Sequence, residues 1–206
     1  MVAAAQAALP SLEGGRRAEV VKALSDCGFR FLLHDPARAL ASPALPALLA
    51  IAGAGAQLAE REPVRSSVAL LNLAVAPGER TLASATWARE RGPLDAYLRA
   101  NAPVLVRGWL TAAAGPCPIT SLKSLGTLLA NLLTAYPAET AQALLAALQD
   151  PAAPAARLSD RDRQTFAQIA LKQPPLPKPK FEMLAEDFAK LCRREASSDV
   201  LLAYQL

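Results

Sequence analysis

The residues able to do chemistry are few: one histidine, His34, three cysteines, Cys27, Cys117 and Cys192, and scattered carboxylates. A Ser–His–acid or Cys–His arrangement would have to use His34. That residue precedes Asp35-Pro36 at the end of a helical pattern, where an imidazole complements the negative end of the helix dipole. No nucleophile motif accompanies it, so it reads as a helix-end residue. The cysteines show no CxxC spacing and have no second histidine nearby, which argues against a zinc site. Cys27 and Cys192 fall on apolar stripes and are expected to be buried as small hydrophobes. Cys117 lies in a turn and is expected to be the exposed thiol, with no activating neighbour. An odd, widely spaced set of this kind suits reduced thiols inside a cell. Gly53 and Gly55 lie in no GxxxxGK[ST] pattern, so a phosphate loop is not expected. Glu186-Asp187 falls on a solvated helix face, without the pocket that acid–base work by paired carboxylates needs. No catalytic, cofactor-binding or metal residue is therefore assigned, and the chain is read as a non-enzyme.

The elements that would position these residues are helices. Of 206 residues, 46 are Ala and 35 are Leu, whereas Ile and Val together number 12. Ala and Leu are strong helix formers and β-branched residues favour strands. With only 10 aromatics, the core must be built from aliphatic helix faces. Hydrophobic residues make up 52% and charged residues 19%, the opposite of a disordered composition. The net charge of +4 lacks the clustered Lys/Arg and aromatics of a nucleic-acid binder, so no nucleic-acid partner is expected. No positively charged n-region precedes an apolar h-region at Met1, so a signal peptide is not expected. Ala39 to Ala59 carries no charge but holds Pro43, Pro46 and two glycines. It is long enough for a membrane span but not apolar enough, and no membrane partner is expected.

Apolar spacing predicts about eight helices joined by proline-bearing turns. Arg16 to Leu33 carries the stripe Val20, Leu24, Cys27 and Phe31. Pro43 to Leu58 is weakened by its glycines, and Pro63 to Val75 repeats the stripe with Val64, Val68, Leu71 and Val75. Pro77 and Gly78 end that helix, and Arg80 to Arg91 is a short helix holding Trp87. Pro93 to Ala113 presents Leu94, Leu98, Leu105 and Trp109, with a kink or break at Pro103. Gly115 and Pro116 close it. Ile119 to Tyr136 has the widest stripe, including Leu128 and Leu133. Pro137 to Gln149 follows with Ala141, Leu144, Leu145 and Leu148 inward. Ser159 and Asp162 form a capping box for a helix carrying Phe166, Ile169 and Ala170. Gln173 to Lys180 is a proline-rich connector before a last helix, Phe181 to Arg194, whose Arg193 and Arg194 complement its dipole. The connector's Pro174-Pro175-Leu176-Pro177 also fits a polyproline II segment of the kind SH3 and WW domains take.

Helix pairs starting near Pro43 and Pro93 have about the spacing of HEAT repeats. The fold class is therefore all-α, an α-solenoid of HEAT-like antiparallel helix pairs in which each unit packs on its neighbours. A closed helical bundle is the alternative. From Arg157 to Glu195 there are nine Lys/Arg and six Asp/Glu, which fits a solvated cap or a partner-binding surface.

In the C-terminal half, Pro118-Ile119-Thr120-Ser121-Leu122 opens the leucine-rich helix. Ala156-Arg157-Leu158-Ser159 and Thr165-Phe166 follow, then a basic break, then a helix ending Leu191-Cys192-Arg193. This order resembles the C-terminus of the importin-13 branch of the importin-β (karyopherin) family, which includes transportin-SR. The likeness extends more weakly back through the pairs from Pro43 to Ala113. It implies a HEAT-repeat solenoid that carries protein cargo through nuclear pores, with Ran GTPase and nucleoporins as partners and residence in cytoplasm and nucleus. Members of the family are several times longer, with their main Ran-binding repeats N-terminal. The resemblance thus implies that residues 1–206 are one region, the C-terminal part of a longer solenoid, with an exposed apolar N-terminal end. The proline-rich Gln173 to Lys180 stands where the family has a more charged, helix-compatible connector. No residue matches a family motif closely enough to be assigned a binding role. The rival reading is a helical scaffold or adaptor unrelated to transport, using its proline segment.

Overall fold

The computed structural model describes residues 14–77, 85–115 and 117–204. They form α1 (Gly14–His34), α2 (Pro36–Ala41), α3 (Leu45–Gly55), α4 (Arg61–Val75), α5 (Ala85–Glu90), α6 (Gly92–Ala100), α7 (Ala102–Ala114), α8 (Ile119–Ala135), α9 (Pro137–Gln149), α10 (Asp160–Ala170) and α11 (Lys178–Cys192). Two 3-10 turns, Pro154–Arg157 and Ser198–Tyr204, complete the structure, and no strand occurs among the described residues. The chain is all-α.

Two helices lie outside the expected set: α2, and the second helix produced by a break within Pro93–Ala113. Asp35 accepts from the Arg38 amide and Pro36 takes the first helical position, so α2 begins immediately where α1 ends. The expected interruption at Pro103 is a break at Asn101, after which Pro103 sits in the first turn of α7. There its missing N–H leaves no bond unmade. Trp87 lies on α5 as expected and is fully buried. Residues 80–84, Gly78 and Pro116 fall outside the described residues. The proline connector ends earlier than Lys180, since Lys178, Pro179 and Lys180 already form the first turn of α11.

The helices stack in two rows. In one row α1 packs on α4, α4 on α8 and α8 on α11; in the other α3 packs on α7 and α7 on α9. The rows are joined where α3 lies on α1 and α4, and where α7 lies on α8 and α11. Each helix thus meets its neighbour along the row and a partner across it, the organisation of an α-solenoid. One core cluster runs through the stack from Leu32 to Tyr204.

Small residues set how closely the rows approach. The buried stripe of α1 is Ala18, Val21, Ser25, Gly28 and Leu32, and not the larger residues expected there. Val20, Leu24 and Phe31 are half-buried on its flank, and Cys27 is exposed. A methyl on Gly28 would lie 2.9 Å from Leu70 Cδ2, so α4 comes closer than a side chain would permit. Ser25 and Ser67 share a buried hydrogen bond of 3.1 Å across the same contact. Gly126 plays this part between α8 and α11, where a methyl would lie 3.0 Å from Ala185 Cβ and 3.1 Å from Glu182 Cα.

The largest side chains gather at the other end. Trp109, Phe166 and Phe188 are fully buried and stacked, with Phe166 and Phe188 centroids 3.7 Å apart. Trp109 Nε1 donates to Leu125 O at 2.9 Å, so the cluster ties α7, α8, α10 and α11 together. On α9 the buried stripe is Thr140, Ala143, Leu144, Ala147 and Leu148. Leu145, expected inside, is 42% exposed, because the small residues let α9 turn its Ala143 and Ala147 side inward.

Candidate functional site

The solvent side of the row α1–α4–α8–α11 carries a polar ladder. Between α1 and α4, Asp26 accepts from Lys22 Nζ of its own helix at 2.8 Å and lines an open depression together with Ser66 of α4. Between α4 and α8, Asn72 donates to Ser124 O at 3.3 Å and accepts from Asn131 at 2.8 Å. Between α8 and α11, Thr127 donates to Glu182 at 2.7 Å, with Lys123 Nζ 3.8 Å from the same carboxylate. Burial raises the Asp26 pKa, but the Lys22 bond, the Ser66 hydroxyl and the charges of Lys22 and Arg30 outweigh it. The carboxyl is held below its ordinary value.

His34 is exposed at the end of α1, on the rim of an open depression that Asp26 and Ser66 also line. The three residue types of a hydrolytic triad are therefore near one another, but not in register. Asp26 and His34 are eight residues apart on one helix, about 12 Å of rise.

Two cysteine expectations are reversed. Cys27 is exposed, because Gly28 and Ser25 take the buried positions of α1. Cys117 is buried, 1% exposed, beneath the Arg193 side chain. Burial pushes its thiol up to about 11 against the pull of Arg193. Cys192 is buried as expected, and burial pushes its thiol up to about 12. No group of metal-ligating side chains occurs among the described residues.

Arg193 does not face the dipole of its own helix. Its guanidinium donates to Ala113 O at 2.8 Å, Cys117 O at 2.9 Å and Ala112 O at 3.3 Å, capping the C-terminal end of α7 and the turn that follows it. Arg194 adopts φ 63, with Glu195 N bonded to Lys190 O and Arg194 N to Leu191 O. This is a Schellman ending with arginine where glycine is usual. The capping box is altered too. Ser159 accepts from the Asp162 amide as expected, but Asp162 accepts from the Ser159 hydroxyl at 2.6 Å instead of reaching the backbone. Glu186 and Asp187 are only partly exposed and both pair with Lys190; Asp187 also accepts from Tyr204 at 2.6 Å.

One cluster escaped the reading of the sequence. Arg91 bonds to Asp95 at 2.7 Å, Val75 O at 2.8 Å and Tyr136 at 3.1 Å, and lies over the Trp87 ring. Tyr136 donates to Asp95 at 2.6 Å. Burial, then the Asp95 bond, pushes its hydroxyl up to about 12. The i,i+4 spacing of Arg91 and Asp95 was the available signal; their long-range partner Tyr136 leaves none. The cluster knits α4, α6 and the α8–α9 corner.

Gly55 lies against Ser67 and Val21, so it serves helix contact. The uncharged stretch from Ala39 is divided between α2 and α3, and no described helix is long and apolar enough to cross a membrane. Compared with known proteins, the chain matches no family model and no curated protein sequence. What the arrangement offers chemically is a hydrogen-bonding, mixed-charge surface carried on a helical stack.

Proposed function

We propose that the chain is a protein-binding segment of HEAT-like helix pairs, the C-terminal part of an importin-β-family nuclear transport receptor that acts without a chemical step. The observation that carries this reading is the open polar ladder along α4, α8 and α11. It gives a continuous recognition surface on a stack, and the C-terminal motif order supports the family. The mechanism is retention of protein cargo on the helix row, with Ran GTPase and nucleoporins engaged by the whole receptor. Residence in both cytoplasm and nucleus follows from that role.

The test is photobleaching of the natural full-length protein, fluorescently tagged in its own cells. The reading expects exchange between cytoplasm and nucleus. It also expects a candidate cargo to lose its nuclear accumulation when Asn72, Thr127 and Asn131 are replaced by Arg. A protein confined to one compartment, or one whose nuclear traffic is indifferent to these changes, overturns it.

A further inference from the structure

A cavity of about 470 Å3 opens at the C-terminal end of the stack, where α8, α9, the end of α10, the proline connector and the start of α11 meet. That is within the ordinary range of ligand pockets, about 300–1,000 Å3. Its floor is apolar: Leu133, Leu171 and Leu176 are half-buried against the core and Phe181 is buried. Its rim is basic: Lys172 and Lys178 line it, both exposed, and no carboxylate does. Exposed Lys180 stands in the same helical turn as Lys178.

These charges are unanswered within the described residues. None of the three lysines is in an ion pair there; on α11, Glu182 turns to Lys123 and Thr127, and Glu186 and Asp187 to Lys190. The first turn of α11 also has no acidic residue and no side-chain cap, so its lysines oppose the positive end of the helix dipole. Two like charges, Lys172 and Lys178, thus stand on the edge of an apolar groove, with Lys180 near by, and its wall, Pro175 and Leu176, is stiffened by the neighbouring prolines.

We propose that this groove binds a short acidic segment of a partner protein. Aliphatic or aromatic anchors enter among Leu133, Leu171, Leu176 and Phe181, and flanking carboxylates meet Lys172 and Lys178. The proposal rests on the groove alone and is independent of the transport reading.

The experiment is fluorescence anisotropy of the full chain with a fluorescein-labelled peptide of sequence Asp-Glu-Leu-Leu-Glu-Asp. The expected result is saturable binding that weakens as salt rises, and at least tenfold weaker binding when Leu becomes Ala or the acids become Lys. Lys172→Glu with Lys178→Glu weakens binding at least tenfold. Thr134→Trp, on the exposed α8 edge of the groove, blocks it with the melting temperature unchanged. Arg16→Glu, at the start of α1, leaves affinity as it was. The proposal is overturned by no saturation up to millimolar peptide, by equal binding to the charge-reversed protein, or by equal binding of the leucine-free peptide. Tighter binding to phosphatidylserine vesicles or single-stranded oligonucleotides than to the peptide also overturns it.

Discussion

Gly55→Ala changes a single methyl at the point where three helices meet. The added carbon would overlap Ser67 Oγ and Val21 Cγ1 and lie 3.2 Å from Ser67 Cβ. Neither neighbour can yield easily: Val21 is β-branched and 1% exposed, and Ser67 is fully buried and hydrogen-bonded to Ser25. Overpacking of this kind costs about 1–3 kcal/mol, and losing the Ser25–Ser67 bond adds about 1 kcal/mol. The better helix propensity of Ala returns at most about 1 kcal/mol. The net loss is about 1–3 kcal/mol, or a melting temperature lower by roughly 2–12 °C for a chain of this size. Gly15→Ala supplies the control: nothing lies within 4 Å of its added methyl, so the same chemical change should stabilise by up to about 1 kcal/mol. Far-UV circular dichroism melts of the two variants read both signs. A Gly55→Ala protein that melts at or above the parent temperature would refute the close three-helix contact.

Arg193→Ala should destabilise by about 2–3 kcal/mol in urea melts, because it strands carbonyls at the buried end of α7; Arg193→Lys should recover only part, lacking the planar fork. Arg194→Gly should stabilise by about 1 kcal/mol by removing a left-handed non-glycine residue, seen as a higher urea midpoint. Native protein should expose one fast-reacting thiol to Ellman's reagent, Cys27, and all three after denaturation; fast loss of Cys117 in the native state would contradict its burial. Raising the pH should destabilise the fold. Tyr136, normally near 10, is held protonated to about 12, and Cys117 and Cys192, normally near 9, to about 11 and 12. Groups with raised folded-state pKa values stabilise fully below their ordinary values, and that contribution is lost as pH rises through the folded ones. The fall should therefore run from about pH 9 to 12, and Tyr136→Phe should flatten its upper part.

Helix existence was legible in the sequence because alanine–leucine periodicity over long windows is a strong signal. Pro137 to Gln149 matches α9 to the residue, and Ile119 to Tyr136 matches α8 within one. Part of the aromatic core was legible too, since Trp109 and Phe166 each lay on a marked apolar face. Which side of α1 turns inward was not legible. Periodicity favours the larger side chains, whereas the structure buries Ala18, Ser25 and Gly28 to bring α4 close. The exposures of Cys27 and Leu145 were misread for the same reason. Arg193 and the Arg91–Tyr136 cluster depend on groups 45 to 81 residues distant, and no local pattern announces such partners. The groove at the connector likewise appears only when α8, α9 and α11 converge.

The stacking of the helices in open rows is tested most directly by a spin-label distance. One label goes on the native, exposed Cys27 of α1 and one on Met183→Cys, an exposed position of α11. With α4 and α8 standing between them, the account predicts about three interhelix spacings, roughly 24–30 Å. A distance near a single spacing, about 10 Å, would mean that α1 and α11 meet around one closed core and would contradict it.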